Sequence, residues 1–125
     1  EMVEFGTTVS GADFARALDA CHVFNLQLEA AFEEAPLILS ATCAGRAPRH
    51  GELGTVNGTP TARWVEMTFG LNLTRNPAAT VHAGLDAGGL PVGLQLIGRQ
   101  RDDVGVLRAA AFAEEVLGGP GRAPF

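Results

Sequence analysis

The segment that most limits what this chain can fold into is NPAATVHAGLDAGGLPVGLQLIGR, residues 76–99. Its first run alternates, placing Ala79, Val81, Ala83 and Leu85 on one face and Thr80, His82 and Gly84 on the other. The corner DAGG supplies glycines where a tight reversal needs positive φ. The return run sets Val92, Leu94 and Leu96 against Gly93, Gln95 and Ile97. This is a β-hairpin whose two faces are both small or apolar, so both need covering. A hairpin by itself is only marginally stable in water.

The flanking sequence offers the cover. Ser10 followed by Asp13 has the spacing of a helix cap with an acidic third residue. Phe14, Ala17, Leu18, Cys21, Phe24, Leu28, Ala31 and Phe32 then recur every three or four positions, which predicts one long amphipathic helix ending before Pro36. PLILSAT reads as a short strand buried on both sides. Residues 42–68 keep no period of 2 or 3.6 and read as a long loop that lines a site or lies across a neighbouring part of the protein. After the hairpin, Asp102 and Asp103 suit a helix N-terminus; the helix is expected to present Leu107, Ala110, Ala111 and Leu117 and to stop at Gly118 and Gly119. The tail PGRAPF is expected to fray.

The reactive inventory is thin. All nine basic residues are arginine, and the chain has neither lysine nor tyrosine. Its two serines read as structural, Ser10 as a helix cap and Ser40 as a strand residue, because neither has a local activating base. His22, His50 and His82 lie far apart, and no HExxH or CxxC spacing exists, so no metal site is expected. The adjacent carboxylates Glu33–Glu34, Asp102–Asp103 and Glu114–Glu115 read as solvated faces or helix-dipole partners, not acid/base pairs. Trp64 reads as a core residue. The arginines, with Arg46/Arg49 and Arg99/Arg101 the nearest pairs, read as surface groups or carboxylate partners. A net charge of −5 argues against direct nucleic-acid binding. No apolar run reaches the roughly 20 residues of a membrane span. Cys21 and Cys43 read as free thiols in a cytoplasmic protein.

Three runs together resemble the carboxy-terminal part of the amidase signature family, which includes bacterial amidases and the A subunit of tRNA-dependent amidotransferases. They are NLTRNPA at residues 72–78, VHAG at 81–84 and GLPVGLQLIG at 89–98. APLILSAT and the long first helix extend the likeness over nearly the whole chain. Arg75 stands where the family has glycine, Thr80 where serine is common, His82 where proline is usual, and Ser40-Ala41 where Thr-Pro is usual.

The resemblance implies an α/β fold, the C-terminal portion of the amidase signature fold, with mixed sheet strands flanked by helices and residues 1–125 as one piece of a larger domain. It also implies hydrolysis of carbon–nitrogen amide bonds by a Ser–Ser–Lys triad carried on earlier segments. A chain without lysine cannot hold that triad, so no catalytic, cofactor-binding or metal residue carries over. Asn72, Pro77 and Gln95 are implied to be structural parts of the active-site wall. A small-molecule amide is the implied substrate, only within the full-length enzyme. The chain starts at Glu1, which fits a missing upstream part. Alone it is expected to be inactive and loosely folded, with self-association through exposed strand edges. The alternative is a non-catalytic remnant that acts as a binding or interaction module.

Overall fold

A computed structural model describes residues 2–119, so the tail PGRAPF lies outside the described residues. The elements in order are α1 (Met2–Thr8), α2 (Gly11–Glu34), β1 (Ile38–Ala41), β2 (Gly54–Val56), β3 (Thr59–Thr61), a 3-10 turn (Ala62–Val65), α3 (Glu66–Thr74), β4 (Ala78–Leu85), β5 (Pro91–Ile97) and α4 (Asp103–Leu117). β1, β5 and β4 form an antiparallel sheet in that order, and β2 and β3 form a separate two-stranded ribbon.

The hairpin of β4 and β5 is the centre of the fold. Ala79 pairs with Leu96 and Val81 with Leu94, while Ile38 and Ala78 flank Ile97 from either side. One face, built from Val81 and Leu96, packs against Ala110 of α4 with Ala109 and Ala113 alongside. On the opposite face Ile97 meets Leu28 and Phe32 of α2 and Leu71 of α3. The sheet therefore lies between two helical layers, and both faces of the hairpin gain apolar cover.

The register departs from simple alternation at a bulge between His82 and Gly84, where Gly84 takes φ 126°. The extra residue turns the end of β4 over. Leu85, expected on the Val81 face, is 65% exposed as a result.

Four further expectations need correction. β1 is an edge strand, not a strand buried on both sides: Ser40 faces Gln95, and Leu39 on the other face is exposed. In α4 the buried residues are Val106 and Ala110, with Leu107, Ala111 and Leu117 exposed. Gly98 sets that phase, because its missing side chain leaves the space that Val106 fills. α2 buries only its second half, through Leu28 and Phe32, whereas Phe14 and Leu18 stay in solvent. Its start is as expected, with the Asp13 N–H donating to Ser10 Oγ at 3.1 Å and the Ser10 N–H to the Asp13 carboxylate at 3.2 Å.

The fourth correction is the segment 42–68, which holds real structure. β2 and β3 join through Asn57 and Gly58, at φ 51° and 79°, the left-handed pair that a two-residue hairpin turn requires. α3 ends at Arg75, itself left-handed at φ 61°, ψ 25°.

After β5 the chain stitches these layers together. The side chain of Arg99 donates to the Phe32 carbonyl at 2.6 Å and to Glu33 at 2.7 Å. Gln100 donates to the Thr74 carbonyl at 2.6 Å and to Asn25 Oδ1 at 3.1 Å. The last carbonyls of α2 and α3 thus find partners on one short loop.

Candidate functional site

A cavity of about 340 Å³ opens where β1 ends, beside the β4–β5 turn. Its wall begins with Thr42, whose N–H continues the ladder to the Gly93 carbonyl at 3.0 Å. The hydroxyl oxygens of Thr42 and Thr80 share a hydrogen bond at 3.1 Å, across the top of β5. Gly93 makes that contact possible, since a Cβ there would come within 2.6 Å of Thr42 Oγ1 and 2.8 Å of Thr80 Cγ2. The glycine of PVG is therefore a packing requirement of this wall, not a phosphate-loop residue.

The opposite wall comes from the segment that looked featureless. The Ala44 N–H donates to the Trp64 carbonyl at 2.8 Å, and Arg46 bridges to Thr55 at the edge of the ribbon. Trp64 is half-buried, not a core residue as expected; its indole covers Gly54 and borders the cavity. Cys43 adds a thiol to the lining, and both cysteines are free.

Charge enters the site as a pair. Arg46 Nε sits 2.9 Å from an Asp86 carboxylate oxygen. The other oxygen accepts the N–H groups of Gly88 at 2.8 Å and Leu90 at 2.9 Å. The Leu90 N–H foremost holds the Asp86 carboxyl below the usual carboxylate range; desolvation, the next largest effect, opposes it, and the Gly88 N–H and the Arg46 charge add to the lowering. Asp86 is thus occupied as the organiser of the hairpin turn. Each member of the pair is engaged by the other, and no hydrogen bond or ion pair of the Cys43 thiol is seen among the described residues. Among the described residues that line the cavity, no nucleophile is hydrogen-bonded to a base.

The residues singled out from sequence do not gather here. Ser10 caps α2, and Ser40 Oγ accepts from Gln95 Nε2 at 3.1 Å. Gln95 is 4% exposed and also donates to the Met67 carbonyl at 3.3 Å, which ties β5 to α3. Asn72 is exposed and Pro77 half-buried, both away from the cavity lining. His22 and His50 are exposed and His82 is half-buried, each on a different element or loop. Among the described residues no cluster of three His, Cys, Asp or Glu side chains could hold a metal ion. No helix among them is long and apolar enough to cross a membrane. Arg46 is the carboxylate partner its sequence reading allowed, with Asp86 as the carboxylate, whereas Thr42 and Asp86 carry no sequence expectation. The one available signal was the Asp opening DAGG, a residue type that bonds its own turn.

The arrangement of strand, turn and hairpin has known counterparts. Residues 6–107 match the amidase family. The chain belongs to the amidase signature family. Its relatives include the A subunit of the glutamyl-tRNA(Gln) amidotransferase of Novosphingobium aromaticivorans, 39% identical over 87 residues, which are 68% of this chain and 17% of that protein. An acylamidase of Rhodococcus erythropolis is 53% identical over 49 residues, or 39% of this chain and 10% of that one. Among solved structures, a 6-aminohexanoate cyclic dimer hydrolase superposes with a TM-score of 0.77 at 26% identity, covering 98% of this chain and 28% of that chain. A bacterial aryl acylamidase of the amidase signature family gives 0.76 at 25% identity, over 90% of this chain and 24% of that one. The chain thus spans between a tenth and under a third of the length of these amidase-family proteins.

Proposed function

We propose that the chain is a C-terminal wall of an amidase-type hydrolase of carbon–nitrogen bonds, which works only when joined to the part that bears the Ser–Ser–Lys triad. In that assembly the cavity bounded by Thr42, Trp64 and the Arg46–Asp86 pair lies on the small-molecule amide's side of the wall. Gln95 and Pro77 hold the wall's shape without touching the reacting atoms. The two free thiols support a reducing, cytoplasmic setting.

One observation carries the reading. The chain exposes 9387 Å², whereas a compact monomer of its 13.0 kDa exposes roughly 6,300 Å². Large apolar side chains are exposed among the described residues, as at Phe5, Phe14, Leu39 and Phe112. Such a surface suits a piece that packs against more of its own fold, and the family match over a small share of each relative says which fold that is.

The test is a graft. The full chain replaces the superposing segment of the bacterial aryl acylamidase, and hydrolysis of a chromogenic anilide is followed for the graft and for the isolated chain. The expected result is turnover by the graft and none by the chain alone. A folded graft without turnover would refute the proposal.

A further inference from the structure

The tip of the β2–β3 ribbon brings together two groups that can react with each other. Asn57 and Gly58 make its two-residue turn, and both are exposed. No hydrogen bond of the Asn57 side chain or of the Gly58 N–H is seen among the described residues. The space beside Gly58 is open, since a Cβ there would meet nothing. A glycine nitrogen is the least hindered backbone nucleophile that can follow a side-chain amide.

The other three asparagines are placed differently. Asn25 and Asn72 lie inside α2 and α3, where the next residue's N–H belongs to the helix ladder. Asn76 precedes Pro77, which has no N–H, and its own amide is bonded to the Gly98 carbonyl. Attack at Asn57 requires its side chain to swing over the Gly58 nitrogen, so the turn has to open. The ribbon allows this. It consists of three residue pairs in a sheet of its own, tied on by one bridge from Arg46 to Thr55, and two strands alone are marginally stable.

We propose that Asn57 is a site of spontaneous modification to isoaspartate, and that this product unseats Trp64 from the cavity wall. The Gly58 nitrogen gives its proton to water and bonds to Asn57 Cγ; the Cγ–Nδ2 bond breaks and Nδ2 leaves as ammonia. Water then opens the cyclic imide. Cleavage at the former backbone carbonyl leaves the chain running through Cγ, with a free α-carboxylate. Cleavage at Cγ gives ordinary aspartate. No atom is oxidised or reduced.

Isoaspartate inserts one extra atom, Cβ, into the main chain. A two-residue turn with both residues left-handed, at φ 51° and 79°, has no place for it, and the Val56–Thr59 pairing is lost. The wall feels that loss directly. Gly54, at the start of the same strand, lies under the Trp64 indole, and the Thr55 carbonyl fills the space beside Gly45.

The experiment ages the full 125-residue chain in mildly alkaline buffer. Peptide mapping by electron-transfer mass spectrometry separates isoaspartate from aspartate at each asparagine, while Trp64 emission is followed in parallel. Asn57 should convert at least about tenfold faster than Asn25, Asn72 or Asn76, because glycine follows it alone. Isoaspartate should be the main product, and emission should move to the red in step with it. Asn57→Gly keeps a turn that favours left-handed residues and lacks the amide, so its emission should stay constant. Asn57→Asp adds the charge without the extra atom, and its fresh emission should match the natural chain. An intact Asn57 amide after another asparagine has converted would overturn the proposal. So would conversion without a red shift, an equal shift in aged Asn57→Gly, a shift already present in fresh Asn57→Asp, or emission of a fully solvated indole before ageing.

Discussion

The side-chain amide of Asn76 donates to the carbonyl oxygen of Gly98 at 2.8 Å, joining the start of the hairpin to its end. Gly98 returns a bond from its own N–H to the Pro77 carbonyl at 3.0 Å. Asn76 is only 8% exposed, and its Oδ1 has no partner among the described residues. Asn76→Ala should therefore cost about 2 kcal/mol, by leaving the Gly98 carbonyl buried and unpaired. Asn76→Asp should cost more, since it turns an acceptor toward an acceptor. Urea unfolding of the aryl acylamidase graft checks both, and a loss below about 0.5 kcal/mol for either would contradict the role given to this bond.

Arg75 closes α3 in a left-handed conformation at φ 61°, and no hydrogen bond or ion pair of its side chain is seen among the described residues. The family pattern has glycine there. A side chain in this region costs roughly 1–2 kcal/mol, while glycine loses more freedom on folding. Arg75→Gly should stabilise the protein by a net ~0.5–1 kcal/mol. The same unfolding measurement decides it, and a destabilised variant would contradict the account.

The β4–β5 turn should loosen in acid. The Asp86 carboxyl lies below its ordinary range because Leu90, Gly88 and Arg46 favour the charged form. A depressed folded-state pKa gives stability that is present at neutral pH and lost as pH falls below about 4 and through the folded value. Amide exchange at Gly88 and Leu90, corrected for its intrinsic pH dependence, should show falling protection in that window. Asp86→Asn should remove the dependence, and an unchanged profile in that variant would assign the effect elsewhere.

Gly54 lies under the indole of Trp64, where an added methyl group has no room. Gly54→Ala should push the indole outward, at a cost of about 1–3 kcal/mol. Trp64 is the chain's only tryptophan, so its emission should shift to the red without interference. An unshifted spectrum would mean that Trp64 is not seated on Gly54.

How much of this could be read from sequence differs by element. The hairpin was legible because its alternation is carried by large residues at Val81, Leu94 and Leu96. The bulge was not, since Ala83 and Gly84 are too small to show a change of face. α4 is legible in position but only partly in phase: Ala110 is buried as expected, yet its run of alanines leaves several helical faces equally apolar, and the tie is broken by Val106 filling the space at Gly98, a tertiary contact. The ribbon of β2 and β3 carried a clear signal in Asn57-Gly58, obscured by strands of only three residues. The cavity was least legible. Arg46 and Asp86 are far apart in sequence and meet only because β1 and β4 both flank β5. The absence of lysine, by contrast, bears on chemistry without any coordinates.

On the function proposed above, this chain shapes an amide-hydrolysing site without containing the groups that break the bond. The most direct measurement is anilide hydrolysis by the full 125-residue chain, purified to constant specific activity. No turnover above the buffer rate is predicted, for the natural chain and for Ser40→Ala alike. Turnover that persists through purification and disappears in Ser40→Ala would contradict the claim.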